Sequence, residues 1–259
     1  MSEEHAQEEL NVDSLWLIPE RDRSGKHANV YHGNFVPQIP NQLIRRYTQM
    51  GDTVADLFMG SGTTLIECER LGRNFVGLDL NPEILAYVNS IMDPQTSPIL
   101  YDCHNCDAGD TAAVDRAFGK SLARFGKEYV DFLIAHPPYM DIVKFTDLPG
   151  DLSHLSDMQA FLKAFVQVMR NGLVFLKKGG YFAIVVGDLY RDKEVKPLAF
   201  YTMDAVRRSF DVKLKGLLIK NIEGNRGKLG KNSIWRSRAL RSDYFIFKHE
   251  YILVFKKEF

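Results

Sequence analysis

Short apolar runs alternate along this chain with longer stretches whose apolar positions recur every three or four residues. Residues 53–58 (TVADLF), 74–80 (NFVGLDL) and 130–135 (VDFLIA) read as buried strands. Between the first two lies a tight turn, Met59-Gly60-Ser61-Gly62, then a stretch of helical spacing at 63–71 with Gly72 as its C-cap. Asn81-Pro82 opens another helix, with Asn as cap and Pro in the first position. The spacing predicts a long amphipathic helix over 158–176, ended by Lys177-Lys178-Gly179-Gly180, and a strand over 181–186. A helix over 198–209 and strands over 212–219 and 244–256 follow, the last two forming an antiparallel edge. Strand and helix in alternation predict an α/β fold with a mostly parallel sheet.

Composition narrows the class. Of 259 residues, 45% are hydrophobic, which suits one large domain. No apolar run approaches the roughly 18 residues of a membrane span. The opening MSEEHAQEEL is acidic and lacks the basic and apolar regions of a signal peptide. A soluble cytoplasmic protein is expected, with a flexible acidic arm at 1–25 and one domain over 26–259. Three cysteines do not make a disulfide framework, and the lone pair in Cys103-His104-Asn105-Cys106 lacks the four ligands of a zinc site, so no metal is expected. Net charge is zero, but seven basic residues within 220–241 face the single acid Glu223. Lys220, Arg226, Lys228, Lys231, Arg236 and Arg238 of that segment suit phosphate contact, and Trp235 suits stacking on bases. A solvated hairpin is the alternative.

Two turns carry candidate chemistry. The first, Asp56-Leu57-Phe58-Met59-Gly60-Ser61-Gly62-Thr63-Thr64, joins a strand to a helix start, where backbone N–H groups and the helix dipole favour an anion. A P-loop would need Lys-Ser/Thr after the last glycine, and a dinucleotide site would need a third glycine; neither is present. S-adenosylmethionine, with its carboxylate at the helix end, is the third candidate, and a purely structural turn the fourth. Asp79 ends the next strand about 20 residues on, where an acid can take two ribose hydroxyls or cap a helix. Asp107 can accept from an adenine amine or simply hold a turn. The second turn is His136-Pro137-Pro138-Tyr139. Prolines cannot continue a central strand, so the chain leaves the sheet there with its carbonyls fixed. A stiff turn with a packed tyrosine is the alternative. Ligands of such sheets bind at the carboxyl ends of strands, so both turns can face one pocket.

Together DLFMGSGTT, GRNFVGLDLNP, AHPPY and HEYILVFKK resemble the amino-group DNA methyltransferases, which methylate adenine N6 or cytosine N4. The resemblance runs over about 31–257. It implies a Rossmann-like S-adenosylmethionine-dependent methyltransferase fold, a mostly parallel seven-stranded sheet with an antiparallel edge strand. It further implies cofactor contacts from His32, Phe35, Pro37, Asp56, Phe58, Gly60, Gly62, Thr63, Asp79 and Asp107, and a catalytic motif of His136, Pro137, Pro138 and Tyr139. His136 stands where the family has Asp, Asn or Ser, which leaves the target base open. Duplex DNA is the implied partner, contacted by a basic insertion at about 220–243; a homodimer stays an option. The rivals are an RNA amino-methyltransferase and a non-catalytic binding protein on the same fold.

Overall fold

A computed structural model describes residues 9–28, 33–222, 232–241 and 243–259. Its chain order is β1 (Leu15–Trp16), α1 (Gln38–Tyr47), β2 (Thr53–Asp56), α2 (Thr63–Leu71), β3 (Asn74–Asp79), α3 (Pro82–Ile91), β4 (Tyr101–Asn105), α4 (Thr111–Phe125) and β5 (Val130–Ala135). After α5 (Met158–Phe175) come β6 (Leu176–Val186), a small hairpin of β7 (Leu189–Arg191) and β8 (Glu194–Lys196), α6 (Leu198–Ser209), β9 (Val212–Asn221), α7 (Asn232–Leu240) and β10 (His249–Lys257). The main sheet has the order β1-β9-β10-β6-β5-β2-β3-β4. Only β10 runs antiparallel to its neighbours, β6 and β9. The expected seven strands are present, and β1 makes an eighth.

Side chains alternate across the strands and feed two cores. Val54, Phe132 and Ile134 point to the face covered by Ile39, Leu43, Leu65 and Val88 from α1, α2 and α3. Ala55, Leu133 and Ala135 point to the face covered by Phe118, Phe161, Phe165 and Val206 from α4, α5 and α6. A strand buried on both faces reads as an unbroken apolar run, which is why 130–135 was legible. Among the described residues no helix is long and apolar enough to cross a membrane.

Three expectations are corrected. The described part of the 1–25 arm is built into the fold: Leu15 and Trp16 pair in parallel with Ile219 and Lys220, and Trp16 is buried. Asn221 brackets Ile18, accepting from its N–H at 2.7 Å and donating to its carbonyl at 3.1 Å. Burial of Trp16 and pairing on β9 anchor the segment, while Leu15 and Leu17 stay exposed. Farther on, His27 Nε2 lies 2.5 Å from Glu67 Oε1, and Arg70 bridges Asp22 and Glu67. These contacts clasp residues 22–27 onto α2. Second, Lys177-Lys178-Gly179-Gly180 is not a turn. It lies inside β6, where the register against β5 shifts between Val130 and Phe132 and Gly179 takes φ +75°. Third, β10 starts at His249 opposite Asn221, not at 244, because strand pairing on β9 ends there.

Since α5 passes directly into β6, its last carbonyls need another partner. Lys257 supplies it, donating to Leu173 O at 2.7 Å and Leu176 O at 2.6 Å from a buried position. Lys257→Met should take that donor from both carbonyls, leaving Leu173 O only the Leu176 N–H, and lower unfolding free energy by about 1–3 kcal/mol in denaturant titration. Lys213→Met, which breaks an exposed pair with Glu258, should change it little. Equal effects of the two would contradict the capping role.

Candidate active site

The central strands set the site. β2 and β5 are parallel neighbours, with Asp56 opposite Ile134, and Leu57 N donates to Ile134 O at 3.2 Å. Both chains therefore leave the sheet together at its carboxyl edge. The glycine turn and the His136 turn open onto one cavity of about 1200 Å³.

On one side stands the glycine turn. Gly60 has φ +53° and its N–H donates to Asp79 Oδ2 at 2.8 Å; Asn81 N donates to Oδ1 at 2.9 Å. Each Asp79 oxygen keeps lone-pair capacity toward the cavity it lines. Burial raises the Asp79 pKa; the two backbone N–H bonds oppose this, and Asp151 adds to it. The turn approaches β3 so closely that a Cβ on Gly77 would lie 2.6 Å from Met59 Sδ. At the start of α2, Gly62 takes φ +81° and no side chain caps the helix. Leu57, Phe58, Leu80, Ala108 and Val168 give apolar wall, with Thr63 and Asp107 beside them. Asp107 accepts from Gly109 N at 2.8 Å, and its carboxylate fills the space a Cβ on Gly150 would need.

Across the cavity His136 is neutral at ordinary pH. Burial pulls its pKa down to about 4; Glu250 works against this and Lys220 with it. Its Nε2 lies 3.0 Å from Tyr139 Oη, and Phe35 packs on the imidazole at 5.0 Å between ring centres. Phe35 is held in turn, because Arg21 donates to its carbonyl at 2.8 Å. Asn34 donates to Ser61 Oγ at 2.5 Å, tying this segment to the glycine turn.

The expected residues sort accordingly. Phe35, Phe58, Gly60, Thr63, Asp79, Asp107, His136, Pro137, Pro138 and Tyr139 all line the cavity. Asp56, Gly62 and Pro37 do not. Asp56 sits behind the turn, accepting from Phe58 N at 3.0 Å and pairing with Thr64 Oγ1 at 2.5 Å, so it shapes the loop. Gly62 faces Val88, and Pro37 starts α1. His32, Arg226, Lys228 and Lys231 lie outside the described residues, as do the side chains of Trp235 and Arg238. Arg236 is exposed on α7, a helix over 232–240 where the alternative reading had a solvated hairpin. Lys220 is no phosphate contact: it is buried, with Nζ 3.1 Å from Glu250 Oε1. Glu20, Asp22 and Glu250 line the cavity without having been singled out from sequence, and Asp151 was read only as a loop start or helix cap. Glu250 lines the cavity, and an acid at the start of an otherwise apolar final strand was a readable signal. Asp151 also lines it; it caps the short turn at Leu152–His154 through Ser153 N, as its sequence reading as a cap implies, and accepts from the Thr146 N–H and hydroxyl.

The sheet order and its antiparallel edge define a Rossmann-like α/β fold with a cavity at the carboxyl edge. Residues 2–90 match the N6/N4 family model described as DNA methylase. That stretch holds the glycine turn and Asp79 but ends before His136. The type II methyltransferase M.MjaII of Methanocaldococcus jannaschii is 41% identical over 69 residues, 26% of this chain and 13% of that protein. The type II methyltransferase M.BglI of Bacillus subtilis is 37% identical over 75 residues, 29% of this chain and 20% of that one. The aligned region thus spans a fifth or less of these relatives. Among solved structures, TehB from Haemophilus influenzae shares the fold, with a TM-score of 0.50 at 14% identity over 89% of this chain and 64% of that one.

Asp56 gives a pH test of the loop. Burial pushes its carboxyl up to about 7, with the Thr64 and Phe58 hydrogen bonds opposing. The folded state thus holds a proton between pH 4 and 7 that the unfolded chain has released, so Asp56 makes stability fall as pH rises through that window. Asp56→Asn keeps an acceptor for Phe58 N and a donor for Thr64. Relative to wild type it should gain up to about 4 kcal/mol between pH 4 and pH 8 in denaturant unfolding. An unchanged difference would place the Asp56 pKa near that of a free aspartate.

Proposed function

We propose that this chain transfers a methyl group from S-adenosylmethionine to the exocyclic amine of a base flipped out of duplex DNA, adenine N6 or cytosine N4. The observation that carries the proposal is the shared cavity, in which the Gly60–Asp79 cradle faces the His136-Pro137-Pro138-Tyr139 turn.

The residues present fit the cofactor. Asp79 offers two oxygens to a ribose diol, the uncapped start of α2 suits a carboxylate, and Phe58, Leu80 and Val168 offer apolar surface to an adenine. When bound, S-adenosylmethionine supplies a methyl on a sulfonium, which leaves without acid catalysis. The chain's own task is to hold the amine in line and favour its localised lone pair. Neutral His136 accepts from the amine through one ring nitrogen. Pro137 and Pro138 hold the carbonyls of the turn in place. Tyr139 gives the base an aromatic wall. Arg236 and Arg241, exposed on and just after α7, suit backbone phosphates.

Labelled methyl transfer to duplex DNA and to tRNA, followed by mass analysis of the nucleosides, tests this. Label in DNA as N6-methyladenine or N4-methylcytosine is expected. Label in tRNA alone would make it an RNA enzyme, and cofactor binding with no transfer to either would make it a binding protein. Asp79→Ala should weaken cofactor binding by calorimetry at least about tenfold. His136→Ala should leave that binding intact while removing most transfer. With the His136 pKa near 4, its protonation should cost no activity between pH 5 and 8.

A further inference from the structure

Four polar side chains from three strands meet in the cavity wall. His136 Nε2 lies 3.0 Å from Tyr139 Oη, Tyr139 Oη donates to Glu250 Oε2 at 3.1 Å, and Glu250 Oε1 accepts from Lys220 Nζ at 3.1 Å. His136 and Tyr139 follow β5, Glu250 lies on β10 and Lys220 on β9. A buried ion pair is weak support for stability, because desolvation consumes most of the attraction. Its contacts suggest another task.

The hydroxyl of Tyr139 has one proton and two lone pairs. A carboxylate can only accept, so the proton points to Glu250. Both lone pairs of the hydroxyl are left as acceptors, so His136 Nε2, 3.0 Å away, must bring a proton of its own. Burial holds the imidazole neutral, so it has only that one proton, and Nδ1 is left bare. Nδ1 has no hydrogen-bond partner among the described residues, on a side chain that lines the cavity. Asp188, the other acid near Tyr139, is engaged by Ala199 N at 3.1 Å.

We propose that Glu250, backed by Lys220, is a positioning residue: by taking the Tyr139 proton it fixes His136 as the Nε2–H tautomer, with Nδ1 as the acceptor for the target amine. The tautomer follows from the hydrogen bonds alone; its use in methyl transfer rests on the function proposed above.

Long-range proton–nitrogen NMR at pH 7 distinguishes the two tautomers. Wild type should show His136 protonated on Nε2. In Glu250→Gln the carboxamide can turn its oxygen to Lys220 and its N–H to Tyr139, which sends the tyrosine proton to His136. The ring should then shift to, or mix with, the Nδ1–H form. Tyr139→Phe should likewise abolish the preference. Where wild type transfers methyl to DNA, single-turnover transfer by Glu250→Gln should fall at least about tenfold, with cofactor and DNA affinity unchanged. Wild-type His136 protonated on Nδ1 would overturn the assignment, and so would a Glu250→Gln variant with the wild-type tautomer. A switched tautomer with undiminished transfer would overturn the catalytic use. Absence of transfer in wild type would sink the proposed function and leave the tautomer result standing.

Discussion

The parallel register of β2 on β5 is the constraint on which the site depends. With Asp56 opposite Ile134, both strands end at the same level, and the chain must turn out of the sheet twice, side by side. One turn uses glycines, because Gly60 and Gly62 take positive φ and because the Met59 side chain packs where any Cβ on Gly77 would be. The other uses prolines, which end the strand and fix the carbonyls. A slip of one residue would send Phe132 and Leu133 to the wrong cores and would separate the two turns.

Around this frame the cavity is closed by segments with few apolar anchors of their own. The stretch at 22–27 is held by the His27–Glu67 and Asp22–Arg70 contacts, and the segment at 33–35 by Arg21 and Asn34. The loop near Asp151 is held by hydrogen bonds from Thr146 and Ser153, and Gly150 packs against Asp107. Polar contacts of this kind define a geometry without adding much burial. The same holds for the Lys220–Glu250–Tyr139–His136 chain, whose worth lies in where it leaves the protons.

Much of this was legible in the chain. The strands at 53–56 and 130–135 were plain because both faces are buried, and the glycine and proline turns were plain because few residues can occupy them. Asp79, singled out by its distance to the glycines, lines the cavity. The failures have a common cause: they depended on partners remote in sequence. Asp56 looked like a ligand until Thr64 and Phe58 N were seen to occupy it. Lys220 looked like one more cation in a basic run, yet β10 places Glu250 beside it. LWLI looked like part of a charged arm, yet β9 supplies it an edge.

The central claim is that cofactor cradle and catalytic turn share one cavity, so one molecule can occupy both. The most direct measurement is the calorimetric affinity of a bisubstrate compound, an adenosyl amino acid tethered at its methyl position to the exocyclic nitrogen of adenine or cytosine. Affinity for at least one of the two should fall in Asp79→Ala and also in His136→Ala, while S-adenosylhomocysteine should lose affinity only in Asp79→Ala. If His136→Ala binds both bisubstrate compounds as tightly as wild type does, the two turns do not serve one site.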